Sequence, residues 1–320
     1  MENLPPTVGS PAELRTFSTR PLALAIGVFD GVHRGHRKLL AEVVRLAAES
    51  DALPVALTFD PHPRAVLHPA APPVLLVGLT ERVRLLREAG MASCVVCPFT
   101  PDLARTEPED FLDNLLDGAR IAAIGVGRLW RFGAGGRGDA ALLQRCAERR
   151  HWRLSAVPEL ELDGETVSAS RIRRVIAGGD LAEADRLLGW HYAYWGRVCG
   201  GHHVAGLRLD CPTANIEPEA GVLPPDGVYA GIVRSGGKSY MAAVNIGIAP
   251  TYARPADRVR RVEAHLLGFS GDLYGCRVKL ELEQYLRSER CFASETDLKQ
   301  QIRDDIAAIR RIAEEKKIAL

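Results

Sequence analysis

The chain has 320 residues, of which 47% are hydrophobic and 25% are charged, and its formal net charge at pH 7 is +1. This length predicts two domains with sizeable cores, and the near-neutral charge argues against nucleic acid as a partner. No apolar run approaches the length of a membrane span, no signal peptide is recognisable, and the seven cysteines are scattered, so we predict a cytoplasmic protein without a membrane partner and leave the oligomeric state open.

The first chemically informative stretch is LALAIGVFDGVHRGHRKLL, residues 22–40. An apolar run suited to a buried parallel strand ends at a glycine-containing turn, which opens directly into a helix. The start of such a helix offers unpaired N–H groups and the positive end of the helix dipole, so it is suited to anion binding. His33 and His36 can both face a ligand in the loop, and Gly35 leaves room for close approach. A histidine pair that only caps and packs is the alternative.

Strands and helices alternate through the next hundred residues. Strands are predicted at 54–59, 94–99 and 121–126, and helices at 80–89 and 139–149. This alternation predicts a parallel, doubly wound sheet.

Three local features of this region carry further predictions. Pro61 and Pro63 predict an irregular loop after the second strand, where Asp60, His62 and Arg64 would lie at a ligand-binding edge, although a surface turn explains this loop nearly as well. Thr106 and Glu109 predict a capping box. Cys94 and Cys97 would point to opposite faces of a strand, which predicts buried thiols and not a metal or redox pair.

A predicted hairpin turn at 163–164 leads to VSASRIRRVI, residues 167–176. Two serine hydroxyls and two guanidinium groups lie at the start of the predicted helix, on Ser168, Ser170, Arg171 and Arg173. These groups are suited to pyrophosphate. A capped helix with a solvated basic face is the alternative.

From about residue 190 the chain consists of short β-rich runs separated by turns, and no helix is predicted before residues 295–316. This pattern predicts a compact antiparallel barrel followed by a terminal helix. We therefore predict two domains, residues 15–189 and 190–320.

Several motifs resemble those of a known family. The segment G-x-F-D-G-x-H-x-G-H at 27–36 is similar to the HxGH signature of nucleotidyltransferases, in the form found in prokaryotic bifunctional riboflavin kinase/FAD synthetases (FMN adenylyltransferases). GRLWRFG at 127–133 and VSASRIR at 167–173 are similar to further parts of that adenylyltransferase half. Segments similar to the riboflavin kinase domain follow in order: PTAN at 212–215, NIGIAPTY at 245–252, VEAHLLGFSGDLYG at 262–275 and YLRSERCF at 285–292.

The resemblance implies an α/β chain with a Rossmann-like HxGH nucleotidyltransferase domain followed by an antiparallel β-barrel riboflavin kinase domain. The second domain would phosphorylate riboflavin to FMN with ATP, and the first would adenylate FMN to FAD with a second ATP, releasing pyrophosphate. Mg²⁺ is implied in both steps, and no redox cofactor is required.

The resemblance also implies roles for individual residues. His33 and His36 would stabilise charge on the phosphates, and Glu289 would act as the base on riboflavin. Thr213 and Asn215 would hold the metal. The implied nucleotide-binding residues are Gly27, Phe29, Asp30, Gly35, Arg131, Ser168, Ser170, Arg171, Arg173, Gly206, Thr213 and Asn215.

Three positions depart from the family pattern. Leu129 stands where the family has a polar residue that contacts nucleotide, Ala169 replaces a serine, and Asp210 replaces a glycine of the flap over ATP. These departures leave two alternatives open: a riboflavin kinase with an impaired adenylyltransferase half, and a non-catalytic regulator that binds flavin or nucleotide. Another HxGH adenylyltransferase would not explain the second domain.

Overall fold

The computed structural model describes residues 7–9, 13–14, 18–116, 118–200, 213–248, 260–290, 292 and 294–316. The described chain divides into two compact units. The first contains the described residues up to Leu75, Leu79–Ile172 and Leu187–Gly189, and the second contains Leu76–Gly78, Arg173–Arg186 and the described residues from Trp190 onward. None of the described helices combines the length and the apolarity that crossing a membrane requires.

The first unit is built on a six-stranded sheet. Its strands are β1 (Thr7–Val8), β2 (Leu22–Ile26), β3 (Leu53–Asp60), β4 (Ser93–Pro98), β5 (Ile121–Gly127) and β6 (Arg153–Val157). The order across the sheet is β1-β4-β3-β2-β5-β6, and every neighbouring pair is parallel. The chain runs outward from β2 on one side and from β5 on the other, so the topological switch point lies between these two strands.

The first six helices lie between the strands of this sheet, and a short hairpin and two further helices follow its last strand. The helices are α1 (Arg34–Glu49), α2 (Pro63–Leu67), α3 (Leu79–Glu88), α4 (Pro101–Arg105), α5 (Pro108–Leu116), α6 (Ala140–Arg150), α7 (Ala169–Ala177) and α8 (Leu181–Leu188). The hairpin consists of β7 (Glu161–Leu162) and β8 (Glu165–Thr166). This alternation confirms the predicted parallel α/β sheet.

Strand β2 lies at the centre of the core. All five of its residues are buried, because a parallel sheet is covered on both faces and its central strands are apolar throughout. Helix α1 packs closely on β5, since a Cβ added at Gly125 would lie 2.3 Å from Cγ2 of Val43. The carboxyl ends of β2 and β5 therefore lie side by side next to the start of α1.

Two local predictions were wrong. The loop after β3 contains a short helix, α2, because Pro63 occupies the first helical turn, where proline is tolerated. His62 caps this helix by accepting a hydrogen bond from the Arg64 amide at 3.0 Å. Thr106 does not start a capping box, because its hydroxyl donates backward to the Asp102 carbonyl at 3.1 Å and ends α4. In both places a local hydrogen bond decides the outcome. The His62 side chain caps a helix in the predicted loop, and the Thr106 hydroxyl bonds to the helix before it and does not cap the helix after it.

Cys94 and Cys97 lie in β4 as buried free thiols. Burial raises the pKa of each thiol to about 12, so neither is a thiolate at neutral pH. The prediction of buried thiols is confirmed.

The second unit contains a closed barrel. Its strands are β9 (Ala193–Cys199), β10 (Ala214–Ala220), β11 (Gly227–Ser235), β12 (Lys238–Ile248), β13 (Arg260–Leu266) and β14 (Arg277–Arg287). They follow the order β10-β13-β12-β11-β14-β9, and all neighbouring pairs are antiparallel. A terminal helix, α9 (Glu295–Lys316), packs on the barrel through Ile309, Ile312 and Ala313. The predicted barrel and terminal helix are confirmed.

Candidate functional site

The turn between β2 and α1 has an unusual backbone. Phe29, Gly31 and Val32 have φ angles of 53°, 76° and 39°, in the left-handed region that favours glycine. Phe29 and Val32 are fully buried, and such conformations persist in non-glycine residues only where packing enforces them. The turn is therefore held in one shape by its surroundings, and it delivers His33 to the N-cap of α1.

His33 and His36 stack on each other. Their ring centroids are 3.6 Å apart with an angle of 19° between the planes, and Nδ1 of His33 accepts a hydrogen bond from the His36 amide at 3.3 Å. The Phe29 ring meets His36 edge-on at a centroid distance of 5.3 Å. The structure thus places both imidazoles together at the start of the helix.

His36 is a neutral imidazole at physiological pH. Burial lowers its pKa well below the usual value, and the nearby charges of His33 and Arg82 lower it further. Nδ1 of His36 is buried and has no hydrogen-bond partner among the residues that the structure describes. The other ring nitrogen, Nε2, is therefore the atom through which His36 can reach a ligand.

Gly35 brings a second segment next to the histidines. A Cβ at this position would lie 3.2 Å from the His33 ring and 3.3 Å from the carbonyl oxygen of Val167, which is tighter than an ordinary contact. The residues after Val167 begin α7, and the hydroxyl of Ser168 caps that helix by accepting from the Arg171 amide at 3.2 Å. The serine- and arginine-containing segment therefore starts beside the histidine pair.

Arg171 is buried, and its guanidinium faces the hairpin. Its Nη1 donates to the carbonyl oxygens of Leu162 at 3.0 Å and Glu165 at 2.7 Å, and its Nε lies 3.3 Å from the Glu165 carboxylate. These contacts fasten the β7–β8 hairpin to α7. Ser170 is exposed, and Arg173 is half-buried in the second unit.

The loop after β5 presents three arginines, Arg128, Arg131 and Arg137, and the apolar side chain of Leu129 to solvent. Phe132 is buried and stacks on Trp130 with ring centroids 4.7 Å apart, which anchors the loop. Arg131 is exposed, with Nη1 3.5 Å from the Asp139 carboxylate. Leu129 is 69% exposed, so the position that departs from the family pattern is a solvent-facing leucine at the edge of the sheet where the histidines lie.

Sequence reasoning missed one charged residue beneath this site. Arg82 on α3 is fully buried, and α3 packs against the Asp30–Val32 turn. An arginine in an amphipathic helix is usually expected on the solvent face. The sequence around Arg82 carries no signal that this side chain is buried. Asp30 in the turn is 2% exposed, so both signs of charge are buried under the histidines.

In the second unit, Asn215, Glu263 and Asn245 form one row across three strands. Asn215 on β10 pairs directly with Glu263 on β13, which pairs with Asn245 on β12. Directly opposite residues in antiparallel strands project to the same face. The next row, containing Val262, is buried inside the barrel, so the polar row lies on the outer face. Glu263 was not singled out by the sequence, because it reads as the polar half of an alternating strand.

Glu289 reaches the same row. Its Oε1 accepts a hydrogen bond from Nδ2 of Asn245 at 3.0 Å. A Cβ at Gly247 would lie 2.2 Å from that oxygen, so glycine makes the space that Glu289 occupies. Thr213 precedes Asn215 by two residues, the spacing that places side chains on one face of an extended chain. The structure thus groups Asn215, Glu263 and Glu289 in one region, whereas Gly206 and Asp210 lie outside the described residues.

An ion pair holds the segment that carries Glu289. Arg287, at the end of β14, contacts the Asp305 carboxylate on α9, with Nη2 at 2.7 Å from Oδ2 and Nε at 3.0 Å from Oδ1. The two side chains are 13% and 9% exposed, so this bidentate pair is largely shielded from water. It fixes the end of β14 against the terminal helix, two residues before Glu289.

The outer-face row has donors that suit a hard cation. The Asn215 amide oxygen belongs to this row and the Thr213 hydroxyl lies two residues before it in the chain, and both are oxygen ligands, which Mg²⁺ prefers. Within the described ranges there is no group of three or more His, Cys, Asp or Glu residues that could hold a metal ion by themselves. This set fits a cation that is shared with substrate phosphates, which is how Mg²⁺ is commonly bound.

Comparison with known families divides the chain into two parts. The family model described as FAD synthetase matches residues 16–171, and the one described as riboflavin kinase matches residues 188–313. The first match contains the stacked histidines, and the second contains the outer-face row.

Individual relatives match most of the chain. The bifunctional riboflavin kinase/FMN adenylyltransferase of Pseudomonas fluorescens is 35% identical over 295 residues, covering 92% of this chain and 94% of the relative. The protein of the same name from Escherichia coli K12 is 34% identical over 288 residues, covering 89% and 91%. A solved structure titled as a macrolide-efflux protein from Streptococcus pneumoniae is 25% identical with a TM-score of 0.82, covering 95% of this chain and 98% of that chain. From that structure we take only the similarity of fold.

Proposed function

The chain belongs to the bifunctional riboflavin kinase/FMN adenylyltransferase family, and we propose that it carries out both reactions of that name. The barrel phosphorylates riboflavin to FMN with ATP, and the parallel-sheet unit joins FMN to the AMP part of a second ATP to give FAD. The observation that carries this proposal is the presence of a polar, phosphate-suited side-chain set in each half: the stacked histidines in one and the Asn215–Glu263–Asn245 row in the other.

In adenylyl transfer, a phosphate oxygen of FMN attacks the α-phosphorus of ATP. The bond from that phosphorus to the oxygen bridging to the β-phosphorus breaks, and pyrophosphate leaves. Negative charge develops on the phosphate oxygens, and preorganised donors aimed at such charge are usually the largest contribution to catalysis. His33 and His36 supply this stabilisation at the N-terminus of α1, where the helix dipole also favours anions.

The surrounding residues shape the same site. Gly27, Phe29 and Asp30 form the turn before α1, and Gly35 lets the His33 ring and the Val167 carbonyl come close to the start of that helix. Hydroxyl and guanidinium groups on Ser168, Ser170, Arg131 and Arg173 bind the phosphates. Arg171 contributes by holding the hairpin and the start of α7, since the structure directs its guanidinium to the carbonyls of Leu162 and Glu165.

In phosphorylation, the terminal ribityl hydroxyl of riboflavin attacks the γ-phosphorus of ATP, and ADP leaves. Oxygen atoms of Thr213 and Asn215 would hold Mg²⁺, which neutralises charge on the β- and γ-phosphates when bound. A carboxylate must accept the hydroxyl proton.

Two carboxylates are candidates for that base. Glu289 is the residue that the R-x-E motif implies, and it contacts the row through Asn245. Glu263 is favoured by position, because it is directly opposite Asn215 in the sheet and therefore next to the proposed metal. Substitution of each carboxylate separately distinguishes them.

A riboflavin kinase with an impaired adenylyltransferase half is the second candidate function. The exposed Leu129 favours it, because a leucine can neither donate nor accept a hydrogen bond to nucleotide at the edge of the first site.

Two incubations, one with riboflavin and one with FMN, distinguish the two candidate functions. The purified protein is mixed with riboflavin, ATP and MgCl₂, and the flavins are separated by chromatography. With riboflavin as the substrate, we expect FMN to form first and FAD to follow. With FMN supplied instead of riboflavin, we expect FAD to be the only new flavin. Excess EDTA should stop both reactions. FMN without FAD, even when FMN is supplied, would establish the kinase-only function. Tight flavin binding without turnover would establish a regulator and refute the proposal.

We assign residues 15–189 to the adenylyltransferase and 190–320 to the kinase. We also propose a cytoplasmic location, since both reactions consume ATP and the cysteines that the structure describes are free thiols. Fractionation of cells expressing the tagged chain tests this location.

A further inference from the structure

Arg82 is a fully buried cation, and packing alone does not account for it. Its Nη1 donates to the Phe59 carbonyl at 2.9 Å and lies 3.4 Å from the Thr58 hydroxyl. Nε and Nη2 are buried, and neither has a hydrogen-bond partner within the described residues. Burying a charge with unmet donors is unfavourable, and an apolar side chain of similar length would fill the space without that penalty. The position therefore retains a charge for a purpose other than filling the core.

The groups around Arg82 belong to the ends of the two strands that flank the histidine turn. Burial lowers the pKa of Arg82, and the negative charges of Asp30 and Asp60 oppose that effect. The Thr58 hydroxyl, which faces Nη1, donates to the Val28 carbonyl at 2.9 Å. The guanidinium thus connects α3 directly to the carboxyl end of β3 and, through the Thr58 hydroxyl, to Val28 after β2.

The turn that Arg82 supports requires such a connection. Phe29 and Val32 occupy left-handed backbone conformations, which cost free energy and persist only when neighbouring structure enforces them. Asp30 lies between them with its carboxylate buried. A nearby cation stabilises a buried carboxylate, and Arg82 on α3, which packs against this turn, is close enough for its charge to interact with that of Asp30.

We propose that Arg82 is a positioning residue of the adenylyltransferase site: its buried guanidinium fixes the Asp30 turn and the ends of β2 and β3, and thereby sets the orientation of His33 and His36. This inference rests on the proposed adenylyl transfer. Arg82 does not contact the substrates, because its side chain is enclosed. Its effect falls on the geometry in which the imidazoles meet the phosphates, and small displacements of catalytic groups are costly.

Kinetics of three variants test this role. Arg82→Met removes the charge at similar length, Arg82→Lys keeps the charge with fewer donors, and Arg87→Met removes a charge from the exposed face of the same helix as a matched control. For FAD formation from supplied FMN, we expect Arg82→Met to lower kcat by ~10²-fold with little change in KM for ATP or FMN. Arg82→Lys should recover part of that loss, and Arg87→Met should match the unmodified chain.

FMN formation by the same preparations shows whether the chain remains folded and active elsewhere. Unchanged kcat in Arg82→Met would overturn the proposal, as would a loss confined to KM or an equal loss in Arg87→Met. If Arg82→Met does not fold, the kcat of Arg82→Lys for FAD formation tests the proposal instead. An Arg82→Lys variant with the kcat and the stability of the unmodified chain would overturn it.

A spectroscopic measurement tests the positioning role of Arg82 independently of the proposed adenylyl transfer. In protein labelled with nitrogen isotope at histidine, we expect the ring signals of His36 to move in Arg82→Met and Arg82→Lys at a fixed neutral pH, while those of His191 in the second unit stay in place. A chain that makes no FAD but shows this movement would refute the proposed transfer and retain the positioning role. Unchanged His33 and His36 signals would overturn it whatever the activity.

Discussion

The two candidate sites are built in opposite ways. The first centres on one continuous segment, a turn with a constrained backbone that carries Asp30 and His33, and Arg82 from α3 is buried against it. The second is assembled on the outer face of a barrel from separate strands, and Asn215 and Glu263 remain partly exposed. The first site is therefore preset by packing and buried charge, whereas the second depends on the register of separate strands.

This difference predicts that substitutions should separate the two activities. A buried, preset site should respond to changes beneath it, and an exposed site should respond mainly to changes of the groups that touch the ligand.

The first test replaces the two carboxylates of the outer-face row. Glu263→Gln and Glu289→Gln keep the shape of each side chain and remove its basicity. The variant that loses the base should form FMN ~10²–10⁴-fold more slowly, and the other should lose much less. Formation of FAD from supplied FMN should stay unchanged in both. Glu314→Gln on the exposed face of α9 is the control, and full kinase activity in both site variants would show that this row is not the kinase site.

The second test removes one stacked imidazole. His36→Ala should slow FAD formation by about 10²–10³-fold and leave FMN formation intact, because the lost donor serves only the first site. His151→Asn is a suitable control, since His151 is exposed and asparagine tolerates its left-handed φ of 57°. Parallel initial-rate assays of both products measure the effect. Equal loss of both products would contradict separate sites.

The third test concerns the ion pair next to Glu289. Asp305→Ala leaves Arg287 largely buried without its carboxylate, which should lower the free energy of unfolding of the second unit by about 3 kcal/mol. Denaturant unfolding, followed together with FMN formation, measures the change. Arg287→Met combined with Asp305→Leu should recover part of the stability, since it removes both charges. An unchanged unfolding transition in Asp305→Ala would show that the ion pair does not hold α9.

The fourth test uses pH. Hydrogen bonds to Asp185 and Glu283 raise the pKa of His191 to about 10, above the unfolded value of roughly 6.5. Protonated His191 therefore contributes stability that is complete below the unfolded pKa and is lost as the pH rises toward the folded pKa. His191→Gln should flatten the fall in melting temperature of the second unit across this interval. Identical pH profiles for the two proteins would contradict the raised pKa.

Local sequence patterns predicted much of the first site. An apolar run, a glycine turn and helical periodicity are short-range signals, and they located His33, His36 and the strand before them. Arg82 gave no such signal, because its burial depends on how α3 packs against a turn about fifty residues earlier in the chain. Arg171 was predicted at the right helix start, but its contacts with the hairpin could not be read from spacing.

The second site was less accessible to sequence reasoning. Asn215 and Glu289 were found only through family motifs, since a lone polar residue on a strand reads as a solvated position. Glu263 became a candidate once the register placed it opposite Asn215. Register in a barrel is set by contacts between distant strands, which the local pattern of one strand does not contain.

If each half of the chain holds an independent site, two variants that each lack one site should complement each other in a mixture. His36→Ala and Asn215→Ala are incubated with riboflavin, ATP and MgCl₂, first separately and then together. We expect that His36→Ala alone accumulates FMN, that Asn215→Ala alone makes neither product, and that the mixture makes FAD. A mixture that forms FMN but no FAD, although Asn215→Ala is properly folded, would contradict independent sites.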